Sequence, residues 1–158
     1  MSHNPAHHTA QVHWTRGDQP FTDRRYSRVH RLRFDGGLEL PGSASPSVVP
    51  VPYADPAAVD PEELFVASLA GCHMLWFLDL ACRAGWCVDD YADDAAGTLA
   101  TDANGHLAMT RVELRPVVRF AGQRQPDADE VVRLHHAAHE ACFLARSVRA
   151  EVCVRPRI

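Results

Sequence analysis

Residues 60–85 read DPEELFVASLAGCHMLWFLDLACRAG, and the reading of this stretch decides the fold. Asp60 precedes Pro61 and stands three residues before Glu63, the form of a capping box that satisfies the first free amides of a helix. Proline suits the first helical position because its missing N–H would have no partner there. From Leu64 to Leu78 there is no Asp, Glu, Lys or Arg. A surface apolar on nearly every face predicts a helix either buried on all sides or embedded in lipid. Roughly 15 such residues fall short of the 20 or so that span a bilayer, so burial within protein is expected. Asp79 and Arg83 close the run, and Gly85 supplies a C-terminal stop.

Upstream, QVHWTR and YSRVHRLRF alternate in polarity, and FDGGLEL carries the Asp-Gly-Gly signal of a turn between strands. This part is expected to form a β-meander or hairpin. The Pro-rich stretch from Pro41 to Pro61 predicts an extended connection, able to wrap a partner surface. Downstream, DDYADDAAGTLAT and LAMTRVELRPVVRFAG predict two strands about a turn at residues 103–105. QPDADEVVRLHHAAHEAC takes helical spacing through Val131, Leu134 and Ala138, and SVRAEVCVRP returns to alternation as a closing strand. The order of elements is that of an α+β fold. A single domain over residues 1–158 is expected, with a disordered tail over about residues 1–11.

Hydrophobic residues make up 46% of the chain and charged residues 23%, which excludes the composition of a disordered protein. The net charge of -4 is spread without a basic block, so nucleic-acid binding is not expected. The N-terminus has neither a charged start nor an apolar run, which predicts a cytoplasmic protein without a membrane anchor.

Five cysteines, an odd count at irregular spacing, argue against a disulfide framework. Cys72 lies inside ASLAGCHML, where small residues permit close approach by a backbone or a substrate. A thiol buried alone among apolar side chains is inert, and a nearby cation is needed to change that. Cys142 ends the second helix, and nothing in spacing alone brings it to Cys72.

DPEELFVASLAGCHMLWFL resembles the helix of the OsmC/Ohr proteins that bears their peroxide-reacting cysteine. In that motif Pro, Glu, Glu or Gln and Leu follow an Asn or Asp, and the Cys stands ten residues after the first Glu, here Glu62 and Cys72. LHHAAHEACFLARSV resembles the same family's second cysteine segment. YSRVHRLRFDGG and VVPVPYADPAAVDPEE are also similar to one OsmC-like subgroup, so the resemblance runs from about Val12 onward. It implies an OsmC-like fold of curved antiparallel sheets around a long buried central helix, in an intertwined homodimer. It implies too that Cys72 is the peroxidatic thiolate and Cys142 the resolving thiol. Glu62 would orient an arginine, assigned to Arg28 among the neighbouring Arg24, Arg25 and Arg31, whose guanidinium holds the thiolate ionised. Leu75, Trp76 and Phe143 are expected to line an apolar pocket. The implied substrate is an organic or lipid hydroperoxide and the implied reductant an external dithiol, such as a lipoyl group, with no bound cofactor or metal. SLAGCHML departs from the shorter, more aromatic pattern of the organic-hydroperoxide-resistance branch and points to the OsmC-like branch, where peroxidase activity is less uniform.

Other readings stand beside this one. His73 adjoins Cys72, but adjacent helical residues do not face each other, so it reads as a packed or supporting side chain. His135, His139 and Cys142 have a spacing that can bind metal, though the resemblance makes the histidines structural. Cys82, Cys87 and Cys153 read as passive core thiols, and Glu63 as part of the helix cap. The alternative function is a non-catalytic small-molecule binding or stress-response protein of the same fold.

Overall fold

The computed structural model describes residues 5–157, in two compact units that divide between Leu64 and Phe65. The first unit holds strands β1 (Ala10–His13), β2 (His30–Phe34) and β3 (Glu39–Gly42) in one antiparallel sheet of order β1-β2-β3. This is the expected meander, and its turn closes where Gly37 adopts φ 85°, with Phe34 N–H donating to the Leu38 carbonyl at 3.0 Å. Of the expected tail, residues 1–4 lie outside the described residues. Ala10 and Gln11 belong to β1, paired with Phe34 and Arg33.

The Pro-rich stretch is not extended. Val59 N–H donates to the Pro41 carbonyl at 3.1 Å and Ser43 N–H to the Val59 carbonyl at 3.0 Å, so the segment turns back on its own start. The Ser43 hydroxyl, fully buried, accepts from Asp55 N–H at 3.0 Å. Turns thus satisfy locally the backbone groups that prolines leave outside any ladder.

Helix α1 (Pro61–Arg83) begins at the capping box: Glu63 N–H donates to Asp60 Oδ1 at 2.7 Å, and Asp60 N–H to Glu63 Oε2 at 3.0 Å. It ends as its glycine predicts. Gly85 takes φ 80°, Trp86 N–H reaches the Ala81 carbonyl at 2.9 Å and Gly85 N–H the Cys82 carbonyl at 3.0 Å, the paired bonds of a Schellman motif. By length and mean hydropathy, 1.7 over its most apolar window, α1 is long enough to cross a membrane, beyond what the count from Leu64 to Leu78 suggests. Its inner face packs on protein instead: Leu69, Cys72, His73, Phe77 and Ala81 are buried, at helical spacing. Burial on all sides is not observed, since Leu75 on the opposite face is 64% exposed.

The second unit adds β4 (Cys87–Asp93), β5 (Ala96–Thr101), β6 (Leu107–Leu114), β7 (Pro116–Ala121), α2 (Ala128–Ala141), α3 (Phe143–Arg146) and β8 (Glu151–Val154). Two expected strands are therefore four. The break falls at Arg115, whose N–H is taken by Asp93 Oδ1 at 2.7 Å, so that β6 pairs with β5 and β7 with β4. The three-stranded sheet has order β5-β6-β8, with β8 parallel to β6, and so departs from the all-antiparallel expectation. Asp127 caps α2 by accepting from Glu130 N–H at 2.7 Å.

The inner face of α1 serves two cores. Phe77 and Ala81 pack with Leu134 and Ala138 of α2, and Leu69 packs with Val112 and Leu114 of β6. Cys82 and Cys87 are exposed and Cys153 is half-buried, so none is the core thiol expected; Cys82 falls outside the buried stripe of α1.

Candidate functional site

Where α1 meets the end of α2, the two buried thiols touch. Cys142 Sγ lies 2.8 Å from Cys72 Sγ and donates to it. Cys72 sits on the inner stripe of α1 between Leu69 and Phe77, and Cys142 is the C-cap of α2 and the N-cap of α3. There it caps α3, its sulfur accepting from Ala145 N–H at 3.4 Å. Both are free thiols, Cys142 the more deeply buried at 1% exposure. Burial first, and then its hydrogen bond to Cys72, push the Cys142 thiol up to about 11. Cys142 therefore keeps its proton at neutral pH and is the donor in the contact.

Cys72 also opens on a groove of about 640 Å³ along the outer side of α1. Ala67, Gly71 and Leu75 recur every fourth residue and form its floor, with Trp76, Phe143 and Leu144 at its side and the Asp79–Arg83 ion pair, 2.9 Å apart, at one end. The three expected pocket residues, Leu75, Trp76 and Phe143, are thus brought together beside Cys72. The small side chains of Ala67 and Gly71 leave the room that the sequence suggested.

The other expected residues lie in the first unit. Arg28 Nη1 donates to the Arg24 carbonyl at 2.8 Å and to the Tyr26 carbonyl, and the guanidinium lies over the Tyr26 ring, 3.9 Å from its centre. Glu62 Oε2 is buried without a hydrogen-bond partner, and no ion pair joins it to Arg28 among the described residues. Among the described residues Arg28 and Glu62 form no pair: Arg28 Nη1 meets two backbone carbonyls, and its Nε and Nη2 are left open.

One feature beside the thiols was not legible as a pair. His73 Nε2 and His135 Nδ1 are 3.0 Å apart, in rings inclined by only 7°, and Phe77 stacks on His135 with centroids 4.2 Å apart. The available signal was the position of His135 on the same buried face of α2 as Leu134 and Ala138. His139 adds no metal centre: no group of three potential ligands forms among the described residues.

Burial, reinforced by His135 and His139, lowers His73 to about 3, and burial alone lowers His135 to about 4. The unfolded chain takes up these protons near pH 6.5, while the folded chain resists them to about 4 and 3. The resulting stability is complete above about pH 6.5 and is lost as pH falls toward 4. Asp93 on β4, raised chiefly by burial, works in the opposite direction, and Glu113, lowered chiefly by its hydrogen bond from Arg115, matters only below about pH 5. Urea midpoints measured from pH 7 to pH 5 are expected to fall, with a shallower slope in His73→Gln. A flat wild-type profile would mean that the imidazoles are charged or solvated in the folded protein.

The sequence pattern of the OsmC-like protein family matches residues 54–156, which include α1, α2 and both buried thiols. An OsmC-like protein of unknown function from Vibrio cholerae is 45% identical, with a TM-score of 0.95 over 97% of this chain and 100% of its own. An organic hydroperoxide resistance protein from Elizabethkingia anophelis shares the fold at 18% identity, with a TM-score of 0.70 over 97% of this chain and 95% of its own. Its counterpart from Bacillus subtilis does so at 19% identity, with a TM-score of 0.65 over 96% and 98%. No curated protein matches the chain. With the family pattern laid over most of the chain and a near-identical fold in a relative of this identity, the chain belongs to the OsmC-like family.

Proposed function

We propose that this protein is a thiol peroxidase that reduces organic or lipid hydroperoxides to alcohols. The observation that carries the reading is the contact of Cys142 Sγ with Cys72 Sγ at 2.8 Å, at the side of an apolar groove onto which only Cys72 opens. Cys72 as thiolate attacks the distal peroxide oxygen. The O–O bond breaks, the alkoxide leaves with a proton as alcohol, and the sulfur, oxidised by two electrons, becomes a sulfenic acid. The Cys142 thiol then attacks that sulfur and water leaves. An external dithiol such as a lipoyl group returns two electrons by thiol–disulfide exchange, so no bound cofactor is needed. The names of the two hydroperoxide resistance proteins of the same fold favour this chemistry.

Arg28 remains our assignment for the guanidinium that steadies the thiolate. Its Nε and Nη2 carry no hydrogen bond among the described residues, and the unpartnered Glu62 carboxylate is the group to orient it. We read the protein as a cytoplasmic homodimer, as its resemblance to the OsmC/Ohr proteins implies.

The test is peroxide consumption by the full chain with dihydrolipoamide. Cumene hydroperoxide is expected to turn over at least about tenfold faster than hydrogen peroxide, since only the former gains from apolar burial in the groove. If neither peroxide is consumed by the fully reduced protein, the non-catalytic binding reading takes its place, with the groove as the site of an apolar ligand.

A further inference from the structure

Two polar contacts cross between α1 and α2 in the same layer: the thiol pair, and the His73–His135 hydrogen bond at 3.0 Å. The side chains buried around them, Phe77, Ala81, Leu134 and Ala138, are apolar. Apolar contact has no direction, so such a layer tolerates a small slide or rotation of one helix on another. A hydrogen bond does not, because it weakens steeply with distance and angle.

Both imidazoles are buried, at 1% and 2% exposure, and the second nitrogen of each, His73 Nδ1 and His135 Nε2, has no partner. Neither ring can exchange its bond for another without moving. His73 follows Cys72 directly on α1, and His135 stands on α2 two turns before Cys142, the residue that caps that helix. A bond that fixes the two rings therefore fixes the two sulfurs.

We propose that the His73–His135 hydrogen bond is a positioning element for the thiol pair: it sets the register of α2 on α1 and so holds Cys142 Sγ against Cys72 Sγ for disulfide closure. The inference rests on the proposed function only through that disulfide, and its test needs no peroxide.

The full chain is equilibrated at pH 7 with mixtures of reduced and oxidised dithiothreitol. The thiols of Cys72 and Cys142 give two electrons and two protons to the cyclic disulfide as their own bond forms. Alkylation and peptide mapping read that bond separately from the exposed Cys82 and Cys87. At position 73 the bonding atom is Nε2, which the glutamine amide nitrogen imitates and the shorter asparagine does not. His73→Asn is expected to lower the equilibrium constant for the disulfide at least about tenfold, and His73→Gln to stay within about threefold of wild type.

At position 135 the bonding atom is Nδ1, so the order reverses: His135→Asn is retained and His135→Gln lowered. This second pair decides the question if either first variant fails to fold. Equal behaviour of asparagine and glutamine at the position read would overturn the proposal, as would a wild-type chain in which Cys72 and Cys142 form no disulfide. A wild type inert to peroxide that still shows the reversed order would overturn the peroxidase reading alone.

Discussion

Cys72→Ser is expected to reduce peroxide turnover by about three orders of magnitude, to the uncatalysed background, because a serine hydroxyl is not ionised at neutral pH and its oxygen cannot take the place of sulfur in a sulfenic acid. Folding should be little changed, since oxygen replaces sulfur in a side chain that makes one polar contact, with Cys142. Cys142→Ser is expected to act differently. The first attack survives because Cys72 still opens on the groove, but the sulfenic acid then has no thiol at 2.8 Å to condense with. Excess peroxide would carry it to the sulfinic acid, seen by mass spectrometry as the addition of one and then two oxygen atoms on the peptide containing Cys72. The asymmetry follows from the proton. Held up at about 11, Cys142 is the donor of the pair, and in a swapped order it would have to attack from 1% exposure. Turnover in Cys72→Ser would move the nucleophile elsewhere, and an unoxidised, fully active Cys142→Ser would remove its resolving role.

Much of this site could be read from the chain itself, and what could not has physical reasons. The helix bearing Cys72 announces both its ends, through the Asp60–Glu63 box and Gly85, since caps are local and depend on few residues. That Leu75, Trp76 and Phe143 gather beside Cys72 came from family resemblance, and the contact of Cys72 with Cys142 spans 70 residues, beyond any periodicity. The split of β6 from β7 was hidden because alternation runs unbroken from Val112 to Phe120, and only the capture of Arg115 N–H by Asp93, 22 residues away, interrupts it. One-sided burial of α1 was hidden for another reason: a uniformly apolar helix carries no moment to say which face is inward. The His73–His135 pair joins residues 62 apart, and the sequence offers His73 only as a packed or supporting side chain and His135 only as a neighbour of His139 and Cys142. Arg28 came from the motif alone, which says nothing of the neighbours that its guanidinium finds here. The residue type is right for holding a thiolate, yet its Nη1 is already bound to the carbonyls of Arg24 and Tyr26.

The largest stability effect is expected at Phe77, on which both polar contacts between α1 and α2 depend for their surroundings. It is fully buried, packs with Ala81, Leu134 and Ala138, and faces the rings of Tyr91, Phe120 and His135 at centroid distances of 5.6, 6.4 and 4.2 Å. Phe77→Ala removes the transfer energy of the ring and leaves a cavity walled by two helices and the β4–β7 sheet. These cannot close on it without breaking their ladders and the His73–His135 bond. A loss of about 3–5 kcal/mol is expected from such a substitution, against a total of roughly 5–15 for a chain of this size. Urea denaturation should show it directly, with Val132→Ala as the comparison: Val132 lies on the same helix as Leu134 but is 47% exposed, and its truncation should cost within about 0.5 kcal/mol. A Phe77→Ala loss no larger than that of Val132→Ala would mean that the layer between α1 and α2 is not the core that holds the thiols together. A large loss, accompanied at low denaturant by a weakened Cys72–Cys142 disulfide equilibrium, would place stability and redox function in the same packed layer.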